Sequence, residues 1–446
     1  MKKPKTFKII ELGCPKSEVD SSWMAASLED SGLERVWDQE EPADVTIVNT
    51  CAFLQETKNI SLQAIKSLKE KRGSIVVAFG CLVENYPTEA EKHADVAIGL
   101  ADFLKVRSAI DSLIEGKIFR RSSEKGARPE KLLPRSVFDR NFQYIKVADG
   151  CSNFCRYCQI PEIRGPFKSR TLSHILAEAQ ALVDAGIQEL ILVAQDVARW
   201  GEDIYGRPMI EHLLKELAII AKGRWLRLLY LHPLRVTKNL VEIVASGSPY
   251  CKYLDIPIQH VSDSVLAKMG RPHSAKNPRF IIEWIRKNYP DISLRTTVMV
   301  GYPQETERDF KSLYDFCRTV EFDHLGVFSF SPEPKTLAAK MSKQIDGDVK
   351  SKRLAKMEEL SNRLTEKRNR RLIGKKLVAL RNFEPAVERE FPYRTEFQAP
   401  EIDGITWVKR TSDKKPKDKT LIEITGAAGF DCLAEEVATS PPQKTS

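Results

Sequence analysis

Cys151-Ser-Asn-Phe-Cys155-Arg-Tyr-Cys158 follows directly on the apolar run Tyr144–Ala148, and it constrains this chain more than any other segment. Three thiolates within eight residues can wrap one soft metal centre, and thiolates select zinc or iron–sulfur clusters. A zinc site wants a fourth Cys or His close by, yet the next histidine is His174, at the start of the following helical pattern. No fourth cysteine follows either, whereas iron–sulfur clusters usually take four. Three ligands on a four-iron cluster leave one iron open, and an open metal position implies a ligand or substrate that binds there.

The surrounding pattern gives this loop a setting. From Asn141 to about Lys340, strand-like runs alternate with helical segments: Tyr144–Ala148, Glu189–Ala194, Leu226–Leu231, Tyr253–Ile256, Leu294–Val300 and His324–Phe330. One of the helices, Leu172–Ala185, is closed by Gly186. Six βα repeats in roughly two hundred residues predict a partial (βα)6 barrel, with the cysteine loop at the strand C-terminal face where barrel active sites are built. The other strand ends add polar groups to the same mouth: Gln195-Asp196, His232-Pro233, Pro257-Ile258-Gln259-His260, Gly301 to Thr306 (with Glu305), and Ser329 to Glu333. His260 reads as a base, a hydrogen-bond donor or a structurally satisfied histidine.

Residues 1–124 repeat the α/β grammar. Strands are predicted at Phe7–Leu12, Val45–Asn49, Ile75–Phe79 and Val96–Ile98, and helices at Ser21–Ser31, Glu56–Lys71 and Glu84–His93, as in a parallel sheet. Cys14, Cys51 and Cys81 each follow one of these strands, so one sheet edge would collect a second three-thiolate site. Gly13 and Gly80 precede two of them and permit close backbone approach. Cys251, Cys317 and Cys432 have no such company and read as core residues. A polar linker is expected at 125–140, the barrel at 141–349, a charged linker helix at 350–374, a small all-β barrel at 375–440 and a tail at 441–446. The strands expected in that small barrel are Lys376–Leu380, Gly404–Val408 and Thr420–Thr425.

Composition narrows the class. The 446 residues are 42% hydrophobic and 29% charged, which excludes a disordered chain and a disulfide scaffold. The basic N-terminus runs into no apolar segment of the kind a secretory signal needs, and Ile75–Val83 is too short to span a bilayer. A soluble cytoplasmic protein without membrane contact is expected, and in a reducing compartment its nine cysteines favour metal binding over disulfides.

The C-x3-C-x2-C run after the first strand of a partial barrel resembles the radical S-adenosylmethionine (radical SAM) superfamily. Together with the N-terminal cysteines and a small C-terminal barrel of the TRAM kind, nearly the whole chain resembles its methylthiotransferase family. The segments Glu11-Leu-Gly-Cys-Pro-Lys16, Leu229-Tyr-Leu-His-Pro233, Tyr253 to His260 and Ala399-Pro-Glu-Ile-Asp-Gly404 are similar to the branch that modifies an aspartate of ribosomal protein S-twelve. Transfer-RNA relatives typically carry Gly-Cys-Gln and Gln-Ser-Gly at the matching places. The chain departs from the pattern at Ser17 (usually Asn), Gln304 (usually Gly) and Gln398 (usually Asp).

The resemblance implies that Cys151, Cys155 and Cys158 hold a [4Fe-4S] cluster whose open iron chelates S-adenosylmethionine. One-electron cleavage would give a 5′-deoxyadenosyl radical that takes hydrogen from an unactivated carbon, which no side-chain base can ionise. Cys14, Cys51 and Cys81 would hold a second [4Fe-4S] cluster carrying the sulfur, and a second S-adenosylmethionine would supply the methyl group. Tyr157 is implied as an adenine contact, and Gln195, Gln259, Gly301 and Glu305 as further S-adenosylmethionine contacts. The implied partners are ribosomal protein S-twelve and an electron donor of flavodoxin or ferredoxin type.

Charge bears on the substrate. Residues 350–371 contain nine Lys or Arg against three Glu, whereas 375–446 balance twelve basic with twelve acidic residues. An RNA-binding barrel would be basic, so a neutral one fits docking to a basic ribosomal protein better. The charged helix is expected either to face ribosomal RNA or to be a solvated connector. The competing readings are a methylthiotransferase of adenosine-modified transfer RNA and a non-catalytic metal protein that binds RNA. The last predicts closed four-ligand sites, which the cysteine spacing disfavours.

Overall fold

The computed structural model describes residues 3–71, 73–126, 140–271, 276–382, 390–409 and 416–437. Most of the expected linker 125–140 and the whole tail 441–446 lie outside the described residues.

The N-terminal sheet is built from β1 (Thr6–Glu11), β2 (Glu34–Arg35), β3 (Val45–Thr50), β4 (Ile75–Gly80) and β5 (Val96–Ile98), all parallel, in the order β2-β1-β3-β4-β5. Every residue of β3 and β4 is buried, as continuous apolar runs covered on both faces must be. The order reverses between β1 and β3, and the crevice beyond the strand ends at such a switch point is where open α/β sheets bind ligands. The first helix, Pro15–Asp30, starts six residues before the sequence predicts, because Cys14 caps it and Pro15 presets its first turn. The helix expected over Glu84–His93 is two, Cys81–Asn85 and Pro87–His93, since the residue before a proline resists the helical conformation.

Next come β6 (Phe142–Lys146), β7 (Ala148–Asp149), β8 (Lys168–Ser169), β9 (Glu189–Val193), β10 (Trp225–Leu228), β11 (Tyr253–Asp255), β12 (Ser293–Val300) and β13 (His324–Ser329). The six expected barrel strands are all present and parallel, in the orders β10-β9-β6 and β11-β12-β13. A bridge between Leu226 and Tyr250 and a bond from Leu231 N–H to the Asp255 carbonyl join the two halves. Among the described residues no pairing links β6 to β13, so the barrel stays open on that side. Outward side chains such as Leu190, Leu192, Leu226 and Leu294 pack under the helices, while Tyr144, Ile191, Val193 and Tyr253 share a core with the N-terminal sheet. The short antiparallel pair β7–β8 clamps the two ends of the cysteine loop.

The charged helix runs Gly347–Arg370 and packs Met357, Leu360 and Leu364 into the barrel's outer core. Two of its arginines point inward: Arg353 donates to the Glu305 carbonyl and Arg368 to the Phe397 carbonyl. Exposed cations at its C-terminal end are spent on neighbouring acids, with Lys367 and the capping Arg371 both on Glu321 and Arg370 on Glu366.

The C-terminal strands β14 (Lys376–Arg381), β15 (Glu390–Thr395), β16 (Thr406–Lys409), β17 (Lys419–Ala428) and β18 (Asp431–Glu436) close a barrel in the order β14-β15-β16-β18-β17. The end of β15 and the segment after it, residues 394–403, are locked to the N-terminal ends of the (βα) strands, opposite the cysteine loop. Arg394 and Arg227 both bind Glu189, at 2.8 and 2.6 Å, with all three side chains fully buried. Asp403 takes Arg295 at 2.7 Å, the Tyr253 hydroxyl at 2.8 Å and His324 Nδ1 at 3.1 Å. Gln398 uses both ends of its amide, accepting from Thr395 and Thr406 and donating to the Gly404 carbonyl at 2.7 Å. An ionised aspartate has no proton to donate there.

Candidate functional site

Each N-terminal cysteine is fixed by local backbone chemistry. Cys14 caps its helix: its N–H donates to Ser17 Oγ at 2.8 Å, and its carbonyl accepts from the Ser17 and Glu18 N–H groups. A Cβ on Gly13 would stand 1.9 Å from Ser17 Oγ, so the glycine makes room for the chain's own serine. Cys51 is held at both backbone groups by Ser61, whose hydroxyl accepts from its N–H at 3.0 Å and donates to its carbonyl at 2.8 Å. Cys81 opens a helix after Gly80, whose φ of +101° and 2.9 Å approach of Asn49 Oδ1 to a would-be Cβ require glycine. β1, β3 and β4 are sheet neighbours, so the three cysteines stand on adjacent strand ends.

The second triplet sits in the loop held by β7 and β8. Cys151 N–H donates to the Gly165 carbonyl at 3.0 Å and Cys158 N–H to the Cys155 carbonyl at 3.0 Å. Gly150, at φ +74°, lies against the Pro166 carbonyl, where a Cβ would come within 2.1 Å. All nine cysteines are free thiols, and Cys251, Cys317 and Cys432 are each buried in a hydrophobic core.

Charge treats the two triplets differently. Burial pushes the Cys14 thiol up, but Lys16, Arg164 and backbone N–H groups bring it below its ordinary value, as a helix N-terminus favours. Burial pushes Cys81 up to about 12, with Arg164 opposing and Cys51 and Cys14 adding to it, so the three sulfurs sense one another. Cys151 is pushed up to about 11 and Cys158 higher still, again by burial first. The donor set in each triplet is sulfur, as an iron–sulfur cluster requires. Among the described residues, no three His, Cys, Asp or Glu side chains gather as ligands of a single metal ion.

Between the triplets runs a fully buried ionic net. Arg164 Nη1 lies 3.0 Å from both Asp20 and Asp149, Lys146 binds the same two carboxylates, and Arg164 Nη2 reaches Cys81 Sγ at 4.0 Å. The strand ends close over this region. Gln195 Nε2 is 3.5 Å from Asp149, while its Oε1 is buried without a hydrogen-bond partner. Asp196 holds Arg235 at 2.8 Å and Asn153 of the cysteine loop at 3.1 Å. Glu333 accepts from the Gln55 N–H, and Lys335 donates to Asn85 Oδ1 at 2.9 Å, tying the last barrel strand to the N-terminal loops.

The remaining expected contacts fall into two groups. Tyr157 lies beside Cys155 and Arg271, with its ring edge-on to Tyr302. Gln259 sits past β11 at φ +66°, its backbone paired with Thr297 and Met299. Gly301 lies against the charged helix, and Glu305 turns back onto its own loop. A Cβ on Gly301 would strike the Lys350 side chain at 2.5 Å, and Glu305 accepts from the Tyr302 N–H at 3.0 Å. His260 accepts from the Ser262 N–H at Nδ1, so its proton is on Nε2, 4.0 Å from Glu305.

Three residues escaped the sequence reading. Arg271 is buried beside Cys155 and Tyr157 and donates to the Pro257 and Ile258 carbonyls. Lys16 stands 3.5 Å over the Tyr230 ring. Arg164 was silent because a single arginine after a proline-bearing turn carries no pattern. Backbone strain, which only the fold reveals, falls in the strand-end loops: Phe154, Tyr230, Gln259 and Gln304 all have positive φ, and such strain clusters at functional sites.

Comparison with known proteins agrees with this geometry. Residues 145–317 match the family model described as Radical SAM superfamily, and residues 6–100 that of Uncharacterized protein family UPF0004. The fold is similar to the radical S-adenosylmethionine methyltransferase TsrM of Kitasatospora setae (TM-score 0.53, 14% identity, 73% of this chain and 75% of that one). Three relatives named ribosomal protein uS12 methylthiotransferase RimO align along nearly their whole length. The one from Geobacter sulfurreducens is 36% identical over 96% of this chain and 98% of its own, and that from Thermoanaerobacter sp. 37% over 97% and 100%. The Caldanaerobacter subterraneus protein is 38% identical over 96% and 99%. Kinship at that level, end to end, means that the chain belongs to the radical SAM methylthiotransferase family, in the group named RimO.

Proposed function

We propose that this enzyme adds a methylthio group to the β-carbon of an aspartate of ribosomal protein uS12, with both cysteine triplets holding [4Fe-4S] clusters. The observation that carries it is the approach of the helix after the radical-site loop to the second cysteine set: Arg164, six residues beyond Cys158, lies 4.0 Å from Cys81 Sγ. In this reading Cys151, Cys155 and Cys158 hold the cluster that binds S-adenosylmethionine, and Cys14, Cys51 and Cys81 hold the one that carries sulfur. When bound, the first group supplies one-electron cleavage of S-adenosylmethionine and hydrogen-atom abstraction from an unactivated carbon.

The chain's own residues position and enclose. The buried Gln195 Oε1, with no hydrogen-bond partner, offers an acceptor to the bound cofactor's ammonium. Tyr157 and Gln259 line the same mouth, and Arg271 sets a cation beside Cys155. The Glu333 and Lys335 ties hold the N-terminal loops over the opening, which limits water near a reactive radical. A flavodoxin or ferredoxin electron donor, a cytoplasmic location and contact of exposed Lys352 and Lys356 with ribosomal RNA belong to the same reading.

The test offers uS12 and adenosine-modified transfer RNA in parallel, with S-adenosylmethionine, sulfide and reductant, after anaerobic reconstitution. Methylthio-aspartate in uS12 and about eight iron atoms per chain, two clusters' worth, are expected. Modification of transfer RNA alone would reverse the substrate assignment. Only about four irons would remove the second cluster.

A further inference from the structure

Lys16 is the second residue of the helix Pro15–Asp30, which Cys14 caps. A cation in the first turn opposes the helix dipole, so the stability of the helix does not account for a lysine there. Its side chain reaches across to the barrel, where the ammonium lies 3.5 Å over the ring of Tyr230, two residues past β10. Its charged neighbours are Tyr230, Cys14 and Asp255, the last residue of β11, with Arg164 opposing. Asp255 itself accepts from the Tyr230 N–H at 2.9 Å and has Arg295 at 3.9 Å. Among the described residues the Lys16 ammonium has no hydrogen-bond acceptor and no carboxylate in ion-pair contact. One ammonium thus stands between the sulfur-bearing cysteine site and the C-terminal ends of two barrel strands.

The chemistry of the acceptor gives that position a use. Sulfur goes to the β-carbon of an aspartate, and the side-chain carboxylate is bonded directly to that carbon. Any pose that brings the β-carbon to the sulfur brings an anion with it, and a carboxylate taken out of water needs a paired cation. The Tyr230 ring offers the ammonium a π face, while its three N–H donors suit an oxygen acceptor. Arg164 and Lys146, by contrast, already bind Asp20 and Asp149.

Resting on the substrate reading above, we propose that Lys16 is a substrate-binding residue whose ammonium takes the carboxylate of the target aspartate and so selects aspartate over uncharged, isosteric asparagine. Tyr230 is the positioning residue that holds the ammonium from the barrel side.

The experiment uses the full chain, reconstituted anaerobically, and labelled uS12 in two forms, one with the target aspartate and one with asparagine in its place. Fluorescence anisotropy reads the affinity for each form, and iron is counted on every variant. The parent enzyme should bind the aspartate form at least about tenfold more tightly. Lys16→Met should bring the aspartate form down to the asparagine level and leave the asparagine form unchanged, and Lys16→Arg should recover part of the preference. If Lys16→Met loses iron, Lys16→Gln carries the same comparison; loss of iron in both assigns the lysine to the cluster and overturns the inference alone. Equal affinity of the parent for both forms, or equal weakening of both by the substitution, also overturns it alone. A parent that modifies transfer RNA and not uS12 overturns the substrate reading and the inference together.

Discussion

Gln304 holds φ +65°, a left-handed conformation that costs an ordinary side chain about 1–2 kcal/mol and glycine almost nothing. The family's glycine at this position is thus a backbone requirement, and the glutamine bears the strain. Gln304→Gly should leave activity intact and raise stability by up to about 1 kcal/mol, read as the urea midpoint, the rest being lost to the freer unfolded chain. Glu11 makes a sharper case. Its carboxyl is buried, with one oxygen unpartnered and the other accepting from Asn49 at 2.6 Å, and burial pushes its pKa up to about 8. The folded protein then holds a proton that the unfolded chain releases above about 4.5. Stability should therefore fall as pH rises from about 5 to 8, by roughly 1.4 kcal/mol per unit at most. Glu11→Gln should flatten that slope in urea titrations at pH 6, 7 and 8, and an equal slope in both proteins would refute the assignment. Neither effect was legible in the sequence, because φ and burial are properties of the fold rather than of a motif.

Strands and helices were far more readable. Four of the N-terminal strands and all six barrel strands were expected within a few residues, because buried parallel strands are continuous apolar runs. Those missed lack that mark: β15 contains Pro392, which argues against a strand, and β18 is Asp-Cys-Leu-Ala-Glu-Glu. The charged helix misled by composition, since counting its cations could not show that Arg353 and Arg368 turn inward. The element that binds the small barrel also hides in sequence, because Glu189, Arg227 and Arg394 lie on three distant strands. Removing the shared anion leaves two buried guanidiniums, and breaking such a group costs about 3–5 kcal/mol. Glu189→Ala should lower the urea midpoint accordingly, and limited proteolysis should release the C-terminal barrel sooner than in the parent.

At the scale of the whole molecule, the two cysteine triplets come from different parts of the fold, and the ionic net of Asp20, Lys146, Asp149 and Arg164 joins the segments that carry them. Their separate roles predict separable defects. Cys155→Ala should abolish S-adenosylmethionine cleavage, whereas Cys51→Ala should retain some cleavage and lose sulfur insertion, both read by chromatography of 5′-deoxyadenosine and modified uS12. Normal sulfur insertion by Cys51→Ala would rule out the role given to its site. The triplets themselves were legible, being cysteines at strand ends. The net between them was not, since Asp20, Lys146, Asp149 and Arg164 carry no spacing rule and are joined only by tertiary approach.

The lock at the base of the barrel has a further consequence, for recombination. Glu189, Arg295 and His324 lie in the catalytic half, while Arg394 and Asp403 arrive with the C-terminal strands. A foreign small barrel spliced in after Arg381 would strand those charges unless it brought an arginine and an aspartate to the same places. The C-terminal module and the strands beneath it are therefore inherited as a matched set.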